Sequence, residues 1–238
     1  MGASDAAACG EGGRLTADER LVAAGFTAGV TTRVMGNMAD AGTRAVALEK
    51  AGLGAWPAYS LRQVHGNIVH DLNDASAVTA DGDGWIVDAP GRVGLVYAAD
   101  CMPLFVWGAG GAAAVVLHAG WKGTRANIAA EGVKALRKRG IEPSGMRAAI
   151  GPHIGPCCYV VGEDFTNLFR AESLERRGGR LYLDLGAEAR AQFIAVGLPG
   201  DGIVCSPVCT ACSGDFFSFR REKLGTRMMA FLAKRHDL

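Results

Sequence analysis

Apolar runs punctuated by glycine set the rhythm of the chain. Residues 25–33 mix apolar and β-branched side chains and end in a cation, which predicts a strand. Residues 40–52 have helical spacing through Ala41, Ala45 and Leu48, with Gly52 as the stop. Residues 61–69 alternate enough to predict a strand, bent at His65-Gly66-Asn67. A polar, glycine-rich loop follows over 71–83, then a short strand at 85–87 and a turn at Ala89-Pro90-Gly91. Residues 93–99 lead into Asp100-Cys101, and residues 112–117 lead into His118; both runs predict buried strands. Residues 105–107 form another short strand, and the tight connection at 108–111 suits a hairpin.

The second half begins with a helix opening at 120–124 and capped by Thr124. Ile128, Val133 and Leu136 mark its apolar side, Arg137, Lys138 and Arg139 complement its dipole, and Gly140 ends it. Residues 146–150 predict a strand, and 151–158 a rigid, turn-rich loop. A charged helix is expected over 163–177 and another over 187–196, stopped by Gly197. Residues 205–213 read as a Cys-rich loop or strand end, 216–219 as strongly apolar, and 227–234 as helix or strand. Nothing marks a domain boundary, so residues 15–238 are expected to form one domain behind a disordered, Ala- and Gly-rich tail at 1–14.

Composition narrows the function classes. Hydrophobic residues are 49% and charged residues 21% of the 238, which supports a packed core. A formal net charge of +1 offers no field for nucleic acid or an acidic membrane surface. No apolar run approaches the roughly 18 residues that would span a bilayer. The first residues carry no lysine or arginine, unlike a signal peptide, and Ala6 stands where myristoylation expects Ser or Thr. A cytoplasmic location is the expectation. Seven cysteines there are thiols or ligands rather than a disulfide framework.

Cys101, His118 and His65 are the main candidates for chemistry. They suit a zinc site with one open position, would also be accepted by copper, and equally suit a cysteine nucleophile activated by histidine. The plainer alternative is a buried thiol with two hydrogen-bonded histidines. Spacing leaves these open. Cys209-Thr210-Ala211-Cys212 is a C-x-x-C, with Cys205, Cys157 and Cys158 elsewhere. A structural zinc site requires a second pair within reach and a redox pair a thioredoxin-like context, so ordinary thiols near the core are expected. Residues 151–156 offer backbone N–H groups to an anion or simply make turns. His70, His153 and His236 are isolated and read as surface or structural. Arg33 and Lys122 are candidates for an anionic group, solvated by default. Trp121 either stacks on a flat ligand or fills core.

Seven motifs occur in order: Gln63-Val64-His65-Gly66; Ala99-Asp100-Cys101-Met102-Pro103-Leu104; His118-Ala119-Gly120-Trp121-Lys122-Gly123-Thr124; Gly151-Pro152-His153-Ile154-Gly155-Pro156; Tyr159-Val160-Val161-Gly162; Cys209-Thr210; and Phe217-Ser218-Phe219-Arg220-Arg221. As a set they resemble the laccase-domain family, also called YfiH-like or multicopper-polyphenol-oxidase-like, over residues 25–221. The resemblance implies a single α/β (α+β) domain with mixed β-sheets packed between helices in αββα-like layers. It implies zinc, with copper as the alternative, on His65, Cys101 and His118. It implies a purine nucleoside-processing enzyme: phosphorolysis of adenosine, inosine or methylthioadenosine, with adenosine deamination. Cys101, His65, His118 and Asp100 are then the catalytic set, Asp100 orienting the site or shuttling a proton. Arg33, Gln63 and Lys122 are the substrate contacts, with Arg33 and Lys122 facing phosphate. Rival readings are an amide hydrolase editing a peptidoglycan precursor through Cys101, a copper-dependent polyphenol oxidase, and a metal-containing binding domain without catalysis. Partners are small molecules, with no nucleic acid or membrane, and oligomeric state is open. The chain departs from the family pattern at Val34-Met35-Gly36-Asn37-Met38-Ala39-Asp40, where a Gly-Gly-Val-Ser-like stretch is usual. Lys122 stands where arginine is frequent, which keeps the charge but loses the bidentate fork.

Overall fold

The structure is a computed structural model that describes residues 14–15, 18–77 and 79–236. The elements run β1 (Arg14–Leu15), α1 (Glu19–Ala23), β2 (Phe26–Thr31), α2 (Ala41–Lys50), β3 (Ala58–Ser60), β4 (Val69–Asp71) and β5 (Gly84–Val87). The middle of the chain supplies β6 (Val93–Ala98), β7 (Met102–Gly108), β8 (Ala114–Ala119), α3 (Trp121–Arg125), α4 (Ile128–Arg137) and β9 (Met146–Ile150). The rest is β10 (Val160–Val161), β11 (Leu174–Arg177), β12 (Arg180–Leu183), α5 (Leu185–Ala195), β13 (Ile203–Cys205), α6 (Phe219–Glu222) and β14 (Met228–Lys234). One sheet has the order β1-β2-β14-β6-β3, a second β13-β9-β7-β8-β5-β4, and a small third β10-β12-β11.

Alternate residues of each long strand serve different layers. Phe105 and Trp107 of β7 and Val116 of β8 face Phe26, Val96 and Leu232 of the other large sheet, so the two sheets share one core. Leu104, Val106, Val115 and Leu117 point the opposite way, onto Ile128, Val133 and Leu136 of α4 and Phe193 of α5. On the far side, Leu95, Met229 and Phe231 pack on Ala47 and Leu48 of α2. The result is the αββα layering that the family resemblance implied. It also explains why these strands read as unbroken apolar runs: strands buried on both faces lose their alternation. Residues 227–234, which fit helix or strand equally, become β14 for this reason. That segment pairs antiparallel with both β2 and β6 in the middle of its sheet.

Local capping explains the well-placed helices. Asp40 caps α2 by accepting from the N–H of Thr43 at 2.7 Å, and Gly52, at φ +73°, follows its end. The helix expected to start at residue 120 is instead two. Asn127, left-handed at φ 58°, breaks α3 from α4 and caps α4 through its side chain, while Thr124 is buried inside α3. Of residues 61–69, expected as one strand, only Val69 enters one, as the first residue of β4. The left-handed His65 (φ 60°) turns the chain there, leaving only a bridge between Arg62 and Asp81. Residues 163–177 are not one helix either. Two short 3-10 turns, Glu163–Asn167 and Ala171–Ser173, lead into β11, whose backbone is claimed by β12. The expected tail at 1–14 lies outside the described residues except Arg14, which pairs with Thr31. Among the described residues no helix is long and apolar enough to cross a membrane.

Candidate functional site

Three polar side chains meet where the two large sheets exchange the chain. Between β6 and β7 the backbone crosses from one sheet to the other through Ala99, Asp100 and Cys101, with Asp100 at φ 84°. His118 sits near the end of β8, opposite Pro103. His65 comes from the turn before β4. Their ligand-capable atoms (the Cys101 Sγ and one nitrogen from each ring) lie within 4.8 Å of one another. The two imidazoles meet edge to face, with centroids 4.8 Å apart. His118 is buried, Cys101 half-buried and His65 exposed, so the cluster opens on the His65 side.

Asp83 holds both histidines. It is fully buried just before β5. One oxygen accepts from His118 Nδ1 at 2.8 Å and from the backbone N–H of His65 at 3.1 Å. The other accepts from the N–H of Gly66 at 2.7 Å and of Val64 at 3.3 Å. The carboxylate thus stabilises the left-handed turn at His65 and fixes His118 with Nε2 as its remaining ring nitrogen. A carboxylate behind a histidine is how metal-ligating imidazoles are oriented. Glycine is required at position 120, because a Cβ there would lie 2.8 Å from Cys101 Sγ and 3.0 Å from His65 Cδ2.

The electrostatics favour an ionised thiol. Burial opposes a charge on Cys101, but the charge of His118 and hydrogen bonds from both histidines outweigh it and bring its pKa down to about 6. Burial likewise opposes protonation of His118, yet Cys101 and Asp83 raise it to about 9. In metal-free protein the Cys101 thiolate therefore persists down to about pH 6 and is lost below it. Alkylation of Cys101 followed against pH is expected to turn over near 6. A midpoint near 9, the ordinary thiol value, would contradict this pairing.

The cluster floors a cleft of about 630 Å³. Tyr97, Phe219, Arg44 and Arg227 line it with Gln63. Phe219 is 50% exposed, with Lys223 Nζ over its ring, 5.4 Å from the centroid. Arg44 Nη1 donates to the carbonyls of Met38 and Ala39, and Arg227 Nη1 to those of Leu224 and Thr226. Each guanidinium is anchored by one corner.

The other sequence candidates sit differently. Gln63 lines the cleft, but its amide bonds both ways to the backbone of Tyr97, at 2.8 and 2.7 Å, and so ties the His65 turn to β6. The Asp100 carboxylate accepts from Thr210 Oγ1 at 2.7 Å and from the N–H of Arg220 at 2.6 Å, which fixes the crossing beside Cys101. Arg33 pairs with Glu222 and lies over Phe217 rather than in the cleft lining. Lys122 is exposed, with Nζ 5.6 Å from the Trp121 ring, and is not part of the lining either. Trp121 packs on Phe165 and the helix-side core. His153 is buried on the carbonyl of Gly151, His70 bonds the carbonyl of Asp81, and His236 meets Trp56. Sequence reasoning missed Asp83, Arg44, Arg227 and the role of Phe219. Only Asp83 carried a signal, an acid placed directly against a fully apolar strand.

The chain matches the family described as multi-copper polyphenol oxidoreductase laccase over residues 33–235. It is 33% identical to purine nucleoside phosphorylase YlmD of Geobacillus stearothermophilus over 211 residues, 78% of this chain and 77% of that protein. It is 31% identical to adenosine deaminase RL5 of an unknown prokaryotic organism, over 63% of this chain and 61% of that protein. The crystal structure of YlmD from Geobacillus stearothermophilus superposes with a TM-score of 0.88 at 27% identity, covering 98% of this chain and all (100%) of that one.

Proposed function

The chain belongs to the multi-copper polyphenol oxidoreductase laccase family, and from that premise we propose that it is a zinc-dependent enzyme acting on purine nucleosides. The reactions are phosphorolysis of adenosine, inosine or methylthioadenosine, with deamination of adenosine. The observation that carries this reading is the convergence of His65, Cys101 and His118 on the floor of a cleft that is also lined by the half-exposed Phe219 and two anchored arginines.

The donor set fits one zinc ion. A thiolate and two imidazoles are its preferred ligands, three protein ligands leave a position for substrate, and Asp83 supplies the supporting carboxylate. Zinc bound there supplies Lewis acidity at the cleft floor. The chain's own residues do the rest. Asp83 keeps His118 Nδ1 protonated and so leaves Nε2 for ligation. Asp100 and Gln63 act as positioning residues for Cys101 and His65. Arg44 and Arg227 hold the phosphate that attacks the sugar carbon, and Phe219 stacks on the base. The free thiols fit a reducing cytoplasm.

Two rivals draw on particular observations. The low pKa of Cys101 beside His118 supports thiolate attack on an amide, as in editing of a cell-wall precursor. The family description supports copper chemistry on phenols. Multicopper oxidation needs several histidine-rich sites, however, and His70, His153 and His236 are each engaged elsewhere.

The test is release of free base from inosine, adenosine and methylthioadenosine with and without phosphate. Phosphate-dependent release is expected. Arg44→Ala and Arg227→Ala should each raise KM for phosphate at least about tenfold, the worth of one charge-assisted hydrogen bond of about 1.5 kcal/mol, with kcat little changed. Release that ignores phosphate and both substitutions, or turnover of the cell-wall precursor alone, would contradict the proposal.

A further inference from the structure

A second cluster of ligand-type side chains lies outside the cleft. Cys157 and Cys158 end the loop that follows β9, and Cys209 and Cys212 lie in the loop that follows β13. β9 and β13 are parallel neighbours, Ile150 opposite Cys205, so both loops leave the same end of the sheet together. The loops stay joined beyond it. His153 bridges to Cys209, and the N–H of Thr210 bonds the carbonyl of His153 at 2.9 Å. The second pair that a C-x-x-C needs for a metal site is therefore within reach.

We propose that Cys157, Cys158, Cys209 and Cys212 bind a second metal ion, zinc by their chemistry, in a closed tetrathiolate site. All four are free thiols, and their Sγ atoms lie within 4.8 Å of one another. Cys212 is 3.3 Å from Cys158 and 3.5 Å from Cys157. A regular tetrahedron with Zn–S bonds of about 2.3 Å has edges of about 3.8 Å, so the separations are those of a set ready to close on one ion. Backbone support is in place too. The N–H of Gly155 points at Cys209 Sγ, 3.2 Å away, and the N–H groups of Cys212 and Ser213 fold back on the Cys209 carbonyl to close the C-x-x-C turn. Glycine at 155 permits this, since a Cβ there would lie 3.2 Å from Cys209 Cβ and 3.4 Å from Cys157 Sγ. Cys157 and Cys212 are exposed, which gives the ion an entry path.

Four thiolates leave no open position, so the role is structural. The site fastens the two loops, and one of them carries Thr210, whose hydroxyl holds Asp100 next to Cys101. The inference stands apart from the nucleoside reading, because its ligands and its readout do not involve the cleft.

Zinc content and cobalt substitution test it. Wild-type protein should bind two equivalents of zinc. The double variant His65→Ala/Cys101→Ala should keep one, and its cobalt form should show the intense sulfur-to-metal charge transfer of a tetrathiolate. Cys209→Ser/Cys212→Ser should lose one equivalent and most of that absorption. Zinc should also protect Cys157, Cys158, Cys209 and Cys212 from alkylation in the intact wild-type protein. This arm needs no substitution and reads the site even where a serine variant fails to fold. The proposal is overturned if His65→Ala/Cys101→Ala binds no zinc or cobalt, or if zinc leaves alkylation of the four cysteines unchanged.

Discussion

Asp83→Asn is expected to weaken zinc binding at His65, Cys101 and His118 by about 10- to 100-fold, the usual effect of removing the carboxylate behind a ligating histidine. It should also destabilise the fold by about 3 to 5 kcal/mol, as breaking a buried charged pair does. Asp83 is fully buried and takes N–H groups from Val64, His65, Gly66 and His118. An asparagine has only one acceptor oxygen, and its NH₂ would face donors, leaving buried groups unpaired. The turn at His65 and the tautomer of His118 would loosen together. In the wild type, burial acts to raise the Asp83 pKa, but His118 and the N–H groups of Gly66 and His65 outweigh it and hold it below the usual carboxylate value. Its contribution to stability is thus present above the unfolded value, about 3.9, and lost as pH falls through the lower folded one. Competition titration with a zinc indicator and urea denaturation at neutral pH check both effects. Unchanged affinity would remove Asp83 from the site.

Cys101→Ala should abolish stable metal binding in the cleft and cut nucleoside turnover by about a thousandfold, since a catalytic ion is worth several kcal/mol in the transition state. The core should survive, because the neighbours Met102 and Leu104 make their contacts from β7 independently of the thiol. The pairing of losses matters. A variant that loses turnover yet keeps zinc on His65 and His118 would point to Cys101 as a nucleophile and favour the amide-hydrolase rival. One that keeps both metal and turnover would end the assignment.

How much of this was legible in the chain depended on how local each cause was. The limits of α2 were readable because Asp40 and Gly52 act within one turn of the helix. β5 through β9 were readable from their apolar runs. The His65 turn misled: alternation over 61–69 suggests a strand, whereas its geometry is imposed by Asp83, 18 positions away. β14 was ambiguous because both its faces are buried, and only pairing with β2 and β6 decides it. The metal-type triad was nameable through family motifs, not spacing. Arg44 and Arg227 had no signal, since an arginine on a helix or loop says nothing of the cleft it reaches. The cysteine quartet was half visible: the C-x-x-C stood out, but its partners lie 54 and 55 positions away and are delivered by the parallel pairing of β9 and β13.

The central claim is that zinc on His65, Cys101 and His118 drives turnover of purine nucleosides. Its most direct test is base release from inosine plus phosphate by chelated protein as zinc is added back, with the ion in the cleft monitored through Cys101 alkylation. The account predicts that activity is lost on chelation and returns in step with protection of Cys101. Full activity in the chelated protein, or recovery while Cys101 remains freely alkylated, would contradict it.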